Sequence, residues 1–189
     1  MTTKTPFIIY AESTPNPQVM KFVSNKMLSQ ISKEFFHIDE TTEWPLINKV
    51  FSFPFVQEVF ISSNYISIKK HTQIDWTDVT NQLRIFIQEQ LNLNVAISIK
   101  KHVQNEQQKQ KTKIDLEVEE LINTRIRPGI QMDGGDIELI STQDGIVKVF
   151  LKGACSGCPS SQMTLKNGIE VLLKEKMPGK IKEVIAINT

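Results

Sequence analysis

Cysteine is nearly absent from this chain: 189 residues contain two, Cys155 and Cys158. That count excludes a disulfide-stapled secreted domain, which needs several paired bridges. Glycine is missing from the first 128 positions, and all eight glycines stand at or beyond Gly129. Phenylalanine shows the opposite bias, nine of ten lying before residue 87. No apolar run approaches the roughly 18 residues of a membrane-spanning helix. The opening Met-Thr-Thr-Lys-Thr-Pro-Phe-Ile-Ile-Tyr has neither a signal peptide's apolar core nor the Arg-rich character of a transit sequence. The expected location is therefore cytosolic or stromal, in short cytoplasmic. Neither charge is in surplus: 22 basic against 21 acidic residues give a net charge of +1, which disfavours general nucleic-acid binding.

What is present is an ordinary globular composition, 40% hydrophobic and 23% charged. At about 150 residues per domain the length suits one large domain or two small ones, and the glycine–phenylalanine split favours two. Between them, residues 102–113 hold one aliphatic residue in twelve, Val103, and cannot bury a face. The expected organisation is a domain over 1–101, a polar linker over 102–113 and a second domain over 114–189. The fold class is α+β, with an N-terminal mixed α/β-type sheet domain and a C-terminal helix–hairpin–helix–strand domain.

In the first domain Phe7–Tyr10 and Val19–Val23 predict strands around the rigid Ser13-Thr14-Pro15-Asn16-Pro17 reversal. Val59–Ile61 and Tyr65–Ile68 predict a hairpin around Ser62-Ser63-Asn64. Asp75 can cap a helix with Val79, Leu83, Phe86 and Ile87 on one face. Trp44–Val50 reads as a shorter helix and Val95–Ile99 as a strand. His37, His71 and His102 are scattered singles without ligand-spaced partners. Phe51, Phe53 and Phe55 read as core packing more readily than as a partner-binding knob.

In the second domain Ile114, Val118, Leu121, Ile122 and Ile126 recur at helical spacing, and Arg127-Pro128-Gly129 is expected to end that helix. Met132–Asp136 is a turn; Ile137–Ile140 and Ile146–Leu151 pair across Asp144-Gly145. Leu165, Ile169, Leu172 and Leu173 mark a helix stopped by Met177-Pro178-Gly179, and Ile181–Ile187 a last strand. Asp133 and Asp136 lack the spacing of a calcium loop and read as turn and capping residues. Met163 reads as core filler.

The chemistry concentrates in Gly153-Ala154-Cys155-Ser156-Gly157-Cys158-Pro159-Ser160. Pro159 suits a first helical position, which puts Cys158 at a helix start where the dipole favours a thiolate. Lys152 adds nearby positive charge. A C-x-x-C serves either metal binding or thiol redox chemistry. Structural zinc and a [4Fe–4S] cube each want about four protein ligands, and this domain has two cysteines and no histidine. If metal is bound, the missing pair comes most simply from a second copy about a two-fold axis.

Residues 153–161, preceded by Arg127-Pro128 and by Gln131-Met132-Asp133-Gly134-Gly135-Asp136, resemble the C-terminal domain of NifU, the Nfu module. Thr14-Pro15-Asn16-Pro17 with Met20-Lys21-Phe22 resembles the domain ahead of it in Nfu proteins. The resemblance implies a non-enzymatic iron–sulfur cluster scaffold or carrier. It implies a [4Fe–4S] cluster held in a homodimer by Cys155 and Cys158, received from an upstream cluster scaffold and delivered to recipient apo iron–sulfur proteins. Full-length NifU has two further cysteine-bearing domains; no cysteine precedes 155 here, so a late carrier is expected rather than a primary assembly site. No nucleic-acid or membrane partner is expected. The rival reading is a thiol–disulfide oxidoreductase, against which stands a preceding hairpin instead of a βαβ context. A structural zinc-bridged dimer is the third.

Overall fold

The structure, a computed structural model, describes residues 5–100, 112–156 and 159–187, with side chains described from 163 onwards in the last segment. The chain divides into two compact units, Met1–Gln104 and Asn105–Thr189. The expected linker falls almost wholly outside the described residues. Among those residues no helix is long and apolar enough to cross a membrane.

The N-terminal unit is a five-stranded antiparallel sheet of order β1-β2-β5-β4-β3: β1 Ile9–Ser13, β2 Val19–Ser24, β3 Lys33–Phe35, β4 Val56–Ser62 and β5 Tyr65–Lys70. Helices α1 (Pro45–Val50) and α2 (Trp76–Asn92) complete one apolar core. Phe22, Val59, Ile61, Ile66 and Ile68 meet Leu46, Ile47, Leu83 and Ile87 there. Alternation puts those strand residues on one face of the sheet. Phe51, Phe53 and Phe55 pack at the edge of this core, Phe53 against Phe86 with ring centroids 4.9 Å apart.

Three local expectations need correction. Strand β1 begins at Ile9, two residues later than expected. Asp75 occupies the N-cap of α2 without a side-chain cap bond. Val95–Ile99 is no strand: it lies beside α1, with the Leu46 amide donating to Ala96 and the Ile99 amide to Glu43. Its amides are thus used in loop contacts and no ladder forms.

The C-terminal unit is a three-stranded sheet, β6 (Gly135–Gln143), β7 (Ile146–Gly153) and β8 (Glu183–Ile187). Strands β6 and β7 form a hairpin; Asp144 and Gly145 turn it with φ of 53° and 82°. Helix α3 (Lys113–Leu121) starts in a capping box of Thr112 and Asp115. The helix does not end at Arg127-Pro128-Gly129. A π-helical turn (Ile122–Ile126) leads straight into α4 (Arg127–Met132), with the Arg127 amide bonded to the Ile122 carbonyl five residues back. Pro128, lacking an N–H, sits at the start of the new segment, where none is needed. Helix α5 (Pro159–Lys176) crosses from β7 to β8, which pair in parallel. Ile137, Val147, Val149, Leu151 and Val184 pack beneath Val118, Ile122, Ile169 and Leu173. Met163, expected in the core, is 68% exposed.

Gly168 lies within α5, and a Cβ there meets nothing within 4 Å. Gly168→Ala should stabilise the C-terminal unit by up to about 1 kcal/mol through lower backbone entropy in the unfolded chain. Urea unfolding of the full chain checks this.

Candidate metal centre

The cysteine loop is the turn between β7 and α5. Its first sulfur is well placed and buried: Cys155 is 7% exposed and belongs to the apolar cluster of the C-terminal unit. Cys158 and Gly157 lie outside the described residues. The Ser156 amide and hydroxyl both donate to the Gly153 carbonyl, at 3.0 and 2.8 Å, closing the backbone around Cys155. Gly153 itself has φ of 67°, in the left-handed region that glycine enters without steric cost.

The opposite wall is the turn that leads into β6. Gly135 pairs with Gly153 across the ladder, and the Ala154 amide donates to the Gly134 carbonyl at 3.2 Å. A Cβ on Gly135 would lie 2.6 Å from the Lys152 carbonyl oxygen and 2.7 Å from Cys155 Sγ. Only glycine lets the two backbones approach this closely. Asp136, 4% exposed, then anchors the turn. Its Oδ1 accepts from Arg127 Nη1 at 2.6 Å and from the Ile137 amide at 2.9 Å. Arg127 is held in turn by Asn123, whose Oδ1 accepts from Nε at 3.0 Å.

Asp136 is thus a structural anchor, as its turn reading anticipated. The Arg127–Asp136 tie and the Gly135–Cys155 contact were not anticipated. Both lie in the Arg-Pro and Asp-Gly-Gly-Asp elements that the sequence marks, and the doubled glycine was the available signal. Among the described residues no three His, Cys, Asp or Glu side chains gather as a metal site.

Lys152, expected to add positive charge near the loop, is paired: its Nζ donates to Glu138 Oε2 at 2.6 Å. Burial pushes the Cys155 thiol up to about 12, and the carboxylates of Asp133 and Asp136 add to the shift. The low thiolate pKa was expected of Cys158, which lies outside the described residues. The argument from strand context also changes, because β7, α5 and β8 do form a βαβ unit, invisible while the direction of the last strand was unknown.

Residues 118–185 match the NifU-like domain, and residues 9–94 match the scaffold protein Nfu/NifU N-terminal domain. A human protein named NFU1 iron-sulfur cluster scaffold homolog, mitochondrial, is 31% identical over 176 residues, covering 90% of this chain and 68% of that protein. This chain belongs to the Nfu family. NifU-like protein 5, mitochondrial, of Arabidopsis thaliana is 34% identical over 172 residues, 87% of this chain and 62% of its own length. The chain thus spans about six-tenths of the length of the first curated relatives it matches. A solved NifU-like protein of Saccharomyces cerevisiae has a TM-score of 0.46 at 22% identity, over 53% of this chain and 92% of its own. That score carries no weight beside the family match. The mitochondrial relatives overturn the cytoplasmic expectation. A cellular address is read by receptors from targeting residues and leaves no mark on the charge balance or core of a folded domain.

Gly135→Ala is expected to destabilise the C-terminal unit by about 1–3 kcal/mol, because its Cβ meets a backbone carbonyl and a buried sulfur. Asp136→Asn should cost a similar amount by leaving Arg127 without its charge partner. Thermal unfolding compared with Gly168→Ala checks both; a neutral Gly135→Ala would contradict the close approach.

Proposed function

We propose that this Nfu protein is an iron–sulfur cluster scaffold or carrier, with Cys155 and Cys158 binding a [4Fe–4S] cluster between two protomers. The observation that carries the reading is the glycine-framed loop that fixes Cys155 at the β7–α5 turn, in a chain whose domains are those of the Nfu family. The relatives' printed name, iron-sulfur cluster scaffold, supports the general role. The finer reading rests on ligand arithmetic. A cubane takes about four protein ligands and the chain has two cysteines, so two chains complete it.

The cluster is cargo here. Binding requires that iron displace the thiol protons, since only thiolate ligates. Transfer requires exchange of these thiolates for those of a recipient apo iron–sulfur protein, without hydrolysis or redox turnover of the carrier. An upstream scaffold supplies the cluster by the same exchange. No enzymatic step is needed. The mitochondrion, where the relatives' names place them, is the compartment that fits this role. The boundaries 1–101, 102–113 and 114–189 remain our domain assignment, with the polar segment as linker.

Thiol–disulfide exchange stays as the second reading because the cysteines lie in a βαβ context that such chemistry also uses. Anaerobic reconstitution separates the two. Broad iron–sulfur absorbance, about two iron atoms per chain and a load-dependent shift to dimer in sedimentation are expected. A fully loaded monomer would exclude the shared cluster, and a colourless protein that reduces disulfides would favour exchange. Cys155→Ser and Cys158→Ser should each lose the stable cluster while the apo fold persists, measured by iron and sulfide content beside circular dichroism. A fragment of residues 114–189 should load as well as the full chain.

A further inference from the structure

Helix α5 has three sides, and two of them are occupied within the C-terminal unit. Leu165, Ile169, Leu172 and Leu173 turn towards its apolar core. Lys166 and Glu170 turn towards β8: Lys166 Nζ lies 3.5 Å from Glu183 Oε1, and Glu170 Oε2 accepts from the Val184 amide at 3.0 Å. The helical period leaves Met163, Thr164, Asn167, Gly168 and Val171 on the third side. All five are exposed, Met163 to 68% and Val171 to 65%, and none is charged. Nothing within the chain requires Gly168. A Cβ there meets nothing within 4 Å, and glycine inside a helix is costly. What its missing side chain admits is a neighbouring backbone from outside. An open groove lined by Gly168, Val171, Leu172 and Arg125 runs beside it, between α5 and the π turn.

The occupant follows from where this side begins. Helix α5 starts at Pro159, the residue after Cys158. The two cysteines of one chain are half the ligand set of a cubane, so a shared cluster brings a second copy to this end of α5. The sheet edges are poorer places for that copy. Edge strands β6 and β8 each have an amide taken by a carboxylate, Thr142 by Asp115 and Val184 by Glu170, both at 3.0 Å.

We propose that a second copy docks on the outward side of α5, with the two α5 helices parallel about a two-fold axis and Met163, Asn167 and Val171 each meeting their own counterparts. The inference rests on the shared-cluster reading above. A parallel pair places both cysteine loops at one end, where one cluster takes ligands from both. An antiparallel pair centred on Asn167 would part the loops by roughly 25 Å at 1.5 Å per residue, too far for one cubane. Asn167, between two apolar positions, is the kind of polar residue that fixes register in a parallel pair. The contact covers only about two turns, too little to hold protomers together alone, so association follows cluster loading.

Wild type, Val171→Glu, Gly168→Lys and Lys148→Glu are made in the full chain, reconstituted anaerobically and compared by iron content and sedimentation. Lys148, exposed on the sheet face away from the core, is the control. Loaded wild type and Lys148→Glu should dimerise alike. Val171→Glu and Gly168→Lys should raise the dimer dissociation constant at least about tenfold and lose iron to a chelator several-fold faster. Urea unfolding of their apo forms should show no loss of stability, because both positions face outward. A photo-crosslinking amino acid at position 171 should join residues 167–174 of a second copy in loaded protein, not residues 159–163. If either variant unfolds, this crosslink decides. Equal dimerisation of the folded variants, or no crosslink to 167–174, overturns the contact and leaves the shared cluster standing. Wild type that takes no cluster, or loads as a monomer, overturns both.

Discussion

The C-terminal unit is organised around a contact that no side chain could share. At Gly135 the chain passes so close to Lys152 and Cys155 that a single methyl group would overlap a carbonyl oxygen and the sulfur. From that approach follow the left-handed Gly134 and Gly153, the ladder pairing of Gly135 with Gly153 and the turn held by Asp136. Asp136 in turn requires Arg127, and Arg127 is brought to it by the helical segment that begins after the π turn. The widened turn is thus part of the support of the cysteine loop. It also gives Pro128 a segment start, where its missing N–H costs nothing.

A loop built this way holds its first sulfur firmly and in a poor environment for free charge. Cys155 sits among apolar side chains with two carboxylates adding to the cost of ionisation. Lys152, the nearest lysine in sequence, is committed to Glu138. Stabilisation of a thiolate there has to come from the ligand that binds it, which is how a metal–sulfur bond differs from ordinary acid–base tuning. On the proposed cluster reading, half a ligand set per chain makes the partner protomer part of the chemistry.

The N-terminal unit solves a different problem. Its sheet and helices share one continuous apolar core, and Lys21, Lys69 and Lys100 pair with Glu12, Glu58 and Glu43. Lys33 and Lys70 instead stand over the rings of Trp44 and Trp76.

Much of this was legible in the chain itself. Periodicity located α2 and α5, and Asp144-Gly145 located a hairpin, because those signals are local and repeat along a few residues. The spacing of Cys155 and Cys158, their glycine frame and the Asp-Gly-Gly-Asp element marked the family and the proposed site. Other features depended on partners distant in sequence. Val95–Ile99 looks like a strand by composition, yet the neighbours its backbone meets belong to the start of α1 and the residues before it. The direction of β8 against β7 decided whether the cysteines sit in a βαβ unit, and no residue count encodes it. Lys152 looked like a free charge until Glu138, fourteen residues away, came opposite it. Composition and short-range spacing determine which residues can do chemistry, since side-chain type and helix or strand period are properties of the chain. Burial, pairing and the approach of Gly135 to Cys155 are properties of what folds against what, and only the tertiary structure decided them.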